Sequence, residues 1–222
     1  MRSLLHDRQL QGLSLCFFVY ILFTIFVNRF LRDTELLNMV WNVFLAMLPL
    51  VFAKGLQTLK TGFRGPLAAL LSLLWLFFFP NAPYTVTDFI HENWTSLYDT
   101  NRSGSAADFL LWVKFIQIGA GMLLSTLCGL LSLYIVHRLV LAQKGKRAAG
   151  GILAAAFLLG GYGIYIGRYL RFNSWDVLHP IRLWLSLLDN TGKFAAAFSL
   201  LFASYVFFTY GVFYIVYHAR GK

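Results

Sequence analysis

The chain has 222 residues, a net charge of +10, 59% hydrophobic and only 13% charged residues, and a mean hydropathy of +0.66. A soluble domain carries about 25% charged residues, so this composition excludes a water-facing globular surface. Its two cysteines, Cys16 and Cys128, both lie inside apolar runs with no metal-type spacing, which reads as small buried hydrophobes rather than a redox or zinc site.

Apolar runs near the roughly 17–25 residues that cross a bilayer recur along the whole chain. They predict an all-α polytopic bundle of six transmembrane helices in a single membrane domain. The spans fall at about 13–30, 37–53, 63–79, 109–136, 151–167 and 194–217. The first is read as a retained helix, since no small-residue cleavage pattern follows it. Pro49 is expected to kink the second. "LAQKGKRAAGG", between the fourth and fifth, reads as a basic tether.

Charge orients the bundle. With the N-terminus cytoplasmic, the cytoplasmic segments hold eleven basic residues and a single acid, Asp7; the other face holds eight of each sign. The positive-inside rule therefore places both termini in the cytoplasm. The basic charge then faces anionic lipid headgroups, and nucleic-acid binding need not be invoked.

The outer segments, 80–108 and 168–193, carry almost all the polar chemistry. In the first, Pro80 and Pro83 argue against a continuous helix through Asn81 and Ala82. Thr85 with Asp88 fits a capping box that starts a short helix, and Asp88 and His91 then share one face. In the second, Arg168 and Arg171 sit at the end of the fifth helix, and Asn173, Ser174, Trp175 and Asp176 form a turn. Pro180 can open an interfacial helix near 180–189, with Ile181, Trp184, Leu185 and Leu188 as its apolar stripe. The glycines of the fifth span, such as Gly160, Gly161 and Gly163, suit tight helix packing.

"FFFPNAPYTVTDFIH" and "GRYLRFNSWD", about ninety residues apart, resemble the paired signatures of an uncharacterised bacterial membrane-protein family, domain of unknown function 1361. The resemblance implies a bacterial plasma (inner) membrane and supplies no activity.

Asp88, His91 and Asp176 are the candidate catalytic acid/base groups. With His179 they are also candidate ligands for a divalent metal, since such oxygen and nitrogen donors suit zinc, manganese or iron. Arg168 and Arg171 are the candidate anion binders, because guanidinium matches phosphate and carboxylate. Asn81, Tyr84, Asn173, Ser174 and Trp175 would orient the substrate. Lys114 lies inside the fourth span with Gln117 one turn deeper, and ionisable groups there face protein or a wet cavity. Each has a plainer reading: a cap for Asp88, snorkelling for Arg168, Arg171 and Lys114, an aromatic belt for Tyr84 and Trp175. His179 precedes Pro180, which works against a shared face with Asp176.

The expected partners are membrane lipids and a lipid-linked or anionic small molecule of the outer leaflet, on which the chain acts as an enzyme or a binding site. The alternatives are a small-solute or ion transporter, which needs polar groups continuing below Lys114 and Gln117, and a membrane scaffold.

Overall fold

A computed structural model describes residues 7–31, 34–59, 63–91, 106–172 and 192–219. Among them the chain is all-helical, with no strand. Helix α1 is Asp7–Leu31, α2 is Thr34–Thr58, α3 is Pro66–Phe78 and α4 is the single turn Asn81–Tyr84. A 3-10 segment follows at Thr85–His91, then the long α5, Ala106–Tyr169, and α6, Lys193–Ala219.

Among the described residues five helical stretches are long and apolar enough to cross a membrane: Leu10–Phe30, Leu36–Thr58, Pro66–Ile90, Phe109–Tyr169 and Lys193–Tyr217. Side chains such as Leu15, Phe26, Leu73, Leu201, Phe208 and Ile215 point outward from the bundle. Apolar residues on the outer faces as well as in the core are what a lipid solvent selects.

The expected fourth and fifth spans fall on the two legs of α5, which meet at a kink. The basic tether between them is helical instead, because Ala, Gln, Lys and Arg are strong helix formers. The exception is Gly145 (φ 84, ψ 179), the non-helical residue inside α5. The chain folds back there. Val136 and Ala155 line one cavity, yet nineteen residues of straight helix would separate them by about 28 Å. The two legs, 106–144 and 146–169, therefore run side by side. Phe63, just before α3, donates its backbone N–H to Gln143 Oε1 at 3.2 Å, beside the turn.

The bundle thus has two ends. The Gly145 end gathers the end of α2 and the start of α3. The Arg168 end gathers the segment after α3, both termini of α5 and the start of α6, where Phe194 meets Tyr169 edge to face at 4.9 Å between centroids. Glycine sets the closest approach. A Cβ on Gly161 would fall onto the Ser199 carbonyl and the Ala203 nitrogen of α6, so only glycine allows this backbone contact. The core between the helices is built from Val43, Leu50, Trp75, Phe79, Cys128, Leu133 and Ile135.

Candidate functional site

α3 ends at Phe78 because Pro80 and Pro83 lack N–H groups. The backbone does not leave helical space, however: Phe79 and Pro80 keep right-handed helical dihedrals. The chain tightens by bonding Ala82 N–H to Phe79 O (3.2 Å) and Tyr84 N–H to Pro80 O (3.0 Å). The expected break is thus a tightening, and residues 80–89 stay buried or half-buried in the bundle. Ala82 and Thr85 are fully buried, and Ala82 Cβ would lie 2.5 Å from a Cβ on Gly129.

The expected capping box does not form. Thr85 has helical dihedrals (φ −57, ψ −23), and its hydroxyl donates back to Ala82 O at 3.0 Å. A 3-10 turn has already begun, so Thr85 cannot adopt the extended backbone of an N-cap. The Asp88 carboxylate is used elsewhere. Asn42 Nδ2, from α2, donates to Asp88 Oδ2 at 3.0 Å. Arg168 Nη2, from the last turn of α5, lies 3.5 Å from Asp88 Oδ1.

Arg168 is held by groups of the segment after α3. Its Nη2 donates closely to the Thr87 carbonyl. Its guanidinium carbon stands 5.3 Å from the centroid of the Tyr84 ring, a cation–π distance. Asp88 is another such group. The Tyr84 ring is fixed in turn by Gly167, where an added Cβ would meet it at 3.1 Å. The Arg168 and Asp88 side chains are only 12% and 14% exposed. At 3.5 Å the ion pair sits at the outer limit of a hydrogen bond. The firm anchors of Arg168 are therefore a neutral carbonyl and an aromatic face, with its counter-charge alongside.

A second polar rung lies nearer the bundle centre. Buried Gln117 donates from Nε2 to Tyr20 Oη (2.7 Å) and Thr24 Oγ1 (3.0 Å). Its Oε1, and Oδ1 of Asn28, are buried without a partner among the described residues. Towards the Gly145 end the described polar groups thin out, leaving the Gln57 amide, buried at the end of α2, and a part-buried pair, His137 Nδ1 and Tyr210 Oη, 2.7 Å apart. Buried Ser125 is followed by Cys128, Leu131, Leu133, Ile135 and Val136. Ser132 is spent on Trp75 Nε1 (3.3 Å) and the Gly129 carbonyl (2.7 Å).

The structure therefore brings Tyr84, Asp88 and Arg168 together. Asn81 is turned away, donating to Phe78 O at 2.9 Å. Lys114 is half-buried on α5, one turn before Gln117. Arg171 is not on the helix with Arg168: it lies beyond Tyr169, exposed, with a left-handed backbone (φ 54). Asn173, Ser174, Trp175, Asp176, His179 and the helix expected near 180–189 lie outside the described residues, as does the side chain of His91. Of the proposed metal ligands, only Asp88 is thus described. Among the described residues no three His, Cys, Asp or Glu side chains cluster.

Sequence reading missed Thr87, whose role is a backbone carbonyl, and did not connect Asn42 with Asp88. It also missed Tyr20, Thr24 and Asn28, although their i, i+4, i+8 spacing draws a polar stripe along an apolar helix.

A family model described as "Protein of unknown function (DUF1361)" matches residues 41–209. The matched region contains Asn42, Tyr84, Thr87, Asp88, Lys114 and Arg168, and leaves out the α1 stripe. No curated protein and no solved structure matches.

Proposed function

The chain belongs to the family described as protein of unknown function DUF1361, and from that premise we propose that it binds the anionic head of a lipid-linked substrate. Arg168 is the anion receptor and Asp88 the neighbouring acid/base group. The observation that carries this reading is the loose engagement of Arg168 with Asp88, 3.5 Å apart, while Tyr84 and Thr87 hold the guanidinium in place. A phosphate or carboxylate can take the guanidinium in bidentate fashion. Asp88 gives up a weak contact and keeps Asn42.

The site is one-ended. Among the described residues, polar groups between Ser125 and the Gly145 turn are few: Ser132 is spent on Trp75, His137 pairs with Tyr210, and the Gln57 amide is buried at the end of α2. This favours binding or catalysis over a transport path.

The reading carries a topology. The two legs of α5 cross separately, giving six spans with both termini cytoplasmic, in the plasma membrane of a bacterium. The Arg168 end then faces the outer leaflet, and the basic residues around Gly145 face the cytoplasm, as the positive-inside rule requires.

The test uses dodecyl phosphate, a single-chain phosphomonoester, titrated calorimetrically into the full chain in a mild non-ionic detergent. Saturable binding is expected. Arg168→Gln should weaken it about tenfold or more, since a hydrogen bond to a charged group contributes about 1.5–3 kcal/mol. Equal binding by a folded Arg168→Gln variant would overturn the proposal.

A further inference from the structure

At the opposite end of the bundle lies a cavity of about 410 Å3 between α2, α3 and both legs of α5. Leu56, Leu73, Trp75, Val136, Gly151 and Ala155 define its walls. The volume falls within the roughly 300–1,000 Å3 of ligand sites. Its polar lining groups are spent: Ser72 donates to Ala68 O at 2.7 Å, and the Trp75 indole N–H is held by Ser132. A cavity without polar partners does not hold water and does not recognise a polar ligand. It takes a hydrocarbon chain.

The cavity opens on the outer face of the bundle. Leu73 is 66% exposed and Gly151 is exposed on the opposite wall. The gap lies where α3 packs more closely on α2 than on α5, and where the second leg of α5 presents the small residues Ala148, Gly151 and Ala155 beside Ile152.

The rim is charged with one sign. Arg64 follows the lining residue Phe63. Lys144, Lys146 and Arg147 flank the Gly145 turn, between the lining residues Val140 and Ala148. All four are exposed. Segments 51–65 and 137–150 together contain seven basic residues and no acid.

We propose that this cavity and its rim form a binding site for an anionic phospholipid, one acyl chain in the cavity and the phosphate on Arg64, Lys144, Lys146 and Arg147. The apolar walls take the chain by burial, and the rim selects the headgroup sign, as basic clusters at a membrane surface do. The site is independent of the Arg168 site and lies at the other end of the helices.

Native mass spectrometry of the full chain in mild detergent tests it, with phosphatidylglycerol and phosphatidylcholine of identical acyl chains as probes. One phosphatidylglycerol should be retained per chain at activation energies that strip phosphatidylcholine. Gly151→Leu should abolish retention without unfolding the protein, because a Cβ at Gly151 meets nothing within 4 Å and the side chain extends into the cavity mouth. Gly150→Leu, equally open but not in the lining, should retain the lipid. Lys144→Gln with Lys146→Gln and Arg147→Gln should weaken retention at least tenfold, while Arg168→Gln should leave it unchanged. Retention by Gly151→Leu, equal retention of both lipids, or a dimer of the chain in place of the lipid adduct would each overturn the proposal.

Discussion

Removing one member of the Asp88–Arg168 pair should destabilise the bundle far more than removing both would suggest. The pair is 12% and 14% exposed, so a survivor stays out of water. Breaking a buried pair on one side costs about 3–5 kcal/mol, because the surviving group loses this counter-charge while staying buried. Asp88→Ala spares the Thr87 carbonyl and the Tyr84 ring that hold Arg168, and should sit near the lower figure. Arg168→Met removes the cation beside Asp88 and should cost as much or more. Independent losses would sum to about 6–10 kcal/mol. The double variant should instead cost no more than the worse single, a coupling of about 3 kcal/mol or more. That exceeds the roughly 0.6 kcal/mol average, and 1.7 maximum, of ordinary hydrogen bonds between membrane helices. Unfolding of the full chain by sodium dodecyl sulfate in mixed micelles, followed by far-UV circular dichroism, gives all four corners of the cycle. Additivity within about 0.5 kcal/mol would refute the ion-pair argument.

Gly161→Leu should force α5 and α6 apart, because its Cβ falls on α6 backbone. Overpacking of this kind costs about 1–3 kcal/mol, or roughly 3–10 °C in melting temperature for a chain of this size, whereas Gly150→Leu should melt as wild type. Gln117→Leu removes the donor shared by Tyr20 and Thr24 and should destabilise by about 0.6–1.7 kcal/mol in the same detergent titration; an unchanged midpoint would show that the rung contributes nothing. In a background lacking Cys16 and Cys128, a cysteine at position 100 should react with an impermeant maleimide in intact cells and one at 145 should not. The reverse pattern would invert the topology.

Much of the architecture was legible because lipid imposes long apolar runs, and five helical stretches sit where those runs are. The differences have local causes. Residues 137–150 carry basic charge, which marks a membrane boundary, but they are also good helix formers, so both helices extend to Gly145 alone. Pro80 and Pro83 were read as a break because each removes a donor. Bonds to Phe79 and Pro80 carbonyls keep the turn helical, and that carries Asp88 into the bundle rather than above it. Asp88, Tyr84 and Arg168 were legible as unusual residues in an apolar chain. Their partners were not: Asn42 lies 46 residues from Asp88, and the Thr87 contribution is a carbonyl that any residue supplies. Arg168 and Arg171 look equivalent in sequence and differ only because α5 ends between them.

The most direct test of the central claim is the affinity of Asp88→Asn for dodecyl phosphate relative to wild type. If Arg168 is an anion receptor that Asp88 occupies loosely, neutralising Asp88 removes a competitor and lessens repulsion of the phosphate. Asparagine can still accept from Asn42. Binding should tighten at least about fivefold, the equivalent of about 1 kcal/mol, because a competing contact and a like-charge repulsion are both removed. Unchanged or weaker binding by the folded variant would contradict the account, leaving the pair as a structural clamp between α2, the 3-10 turn and α5.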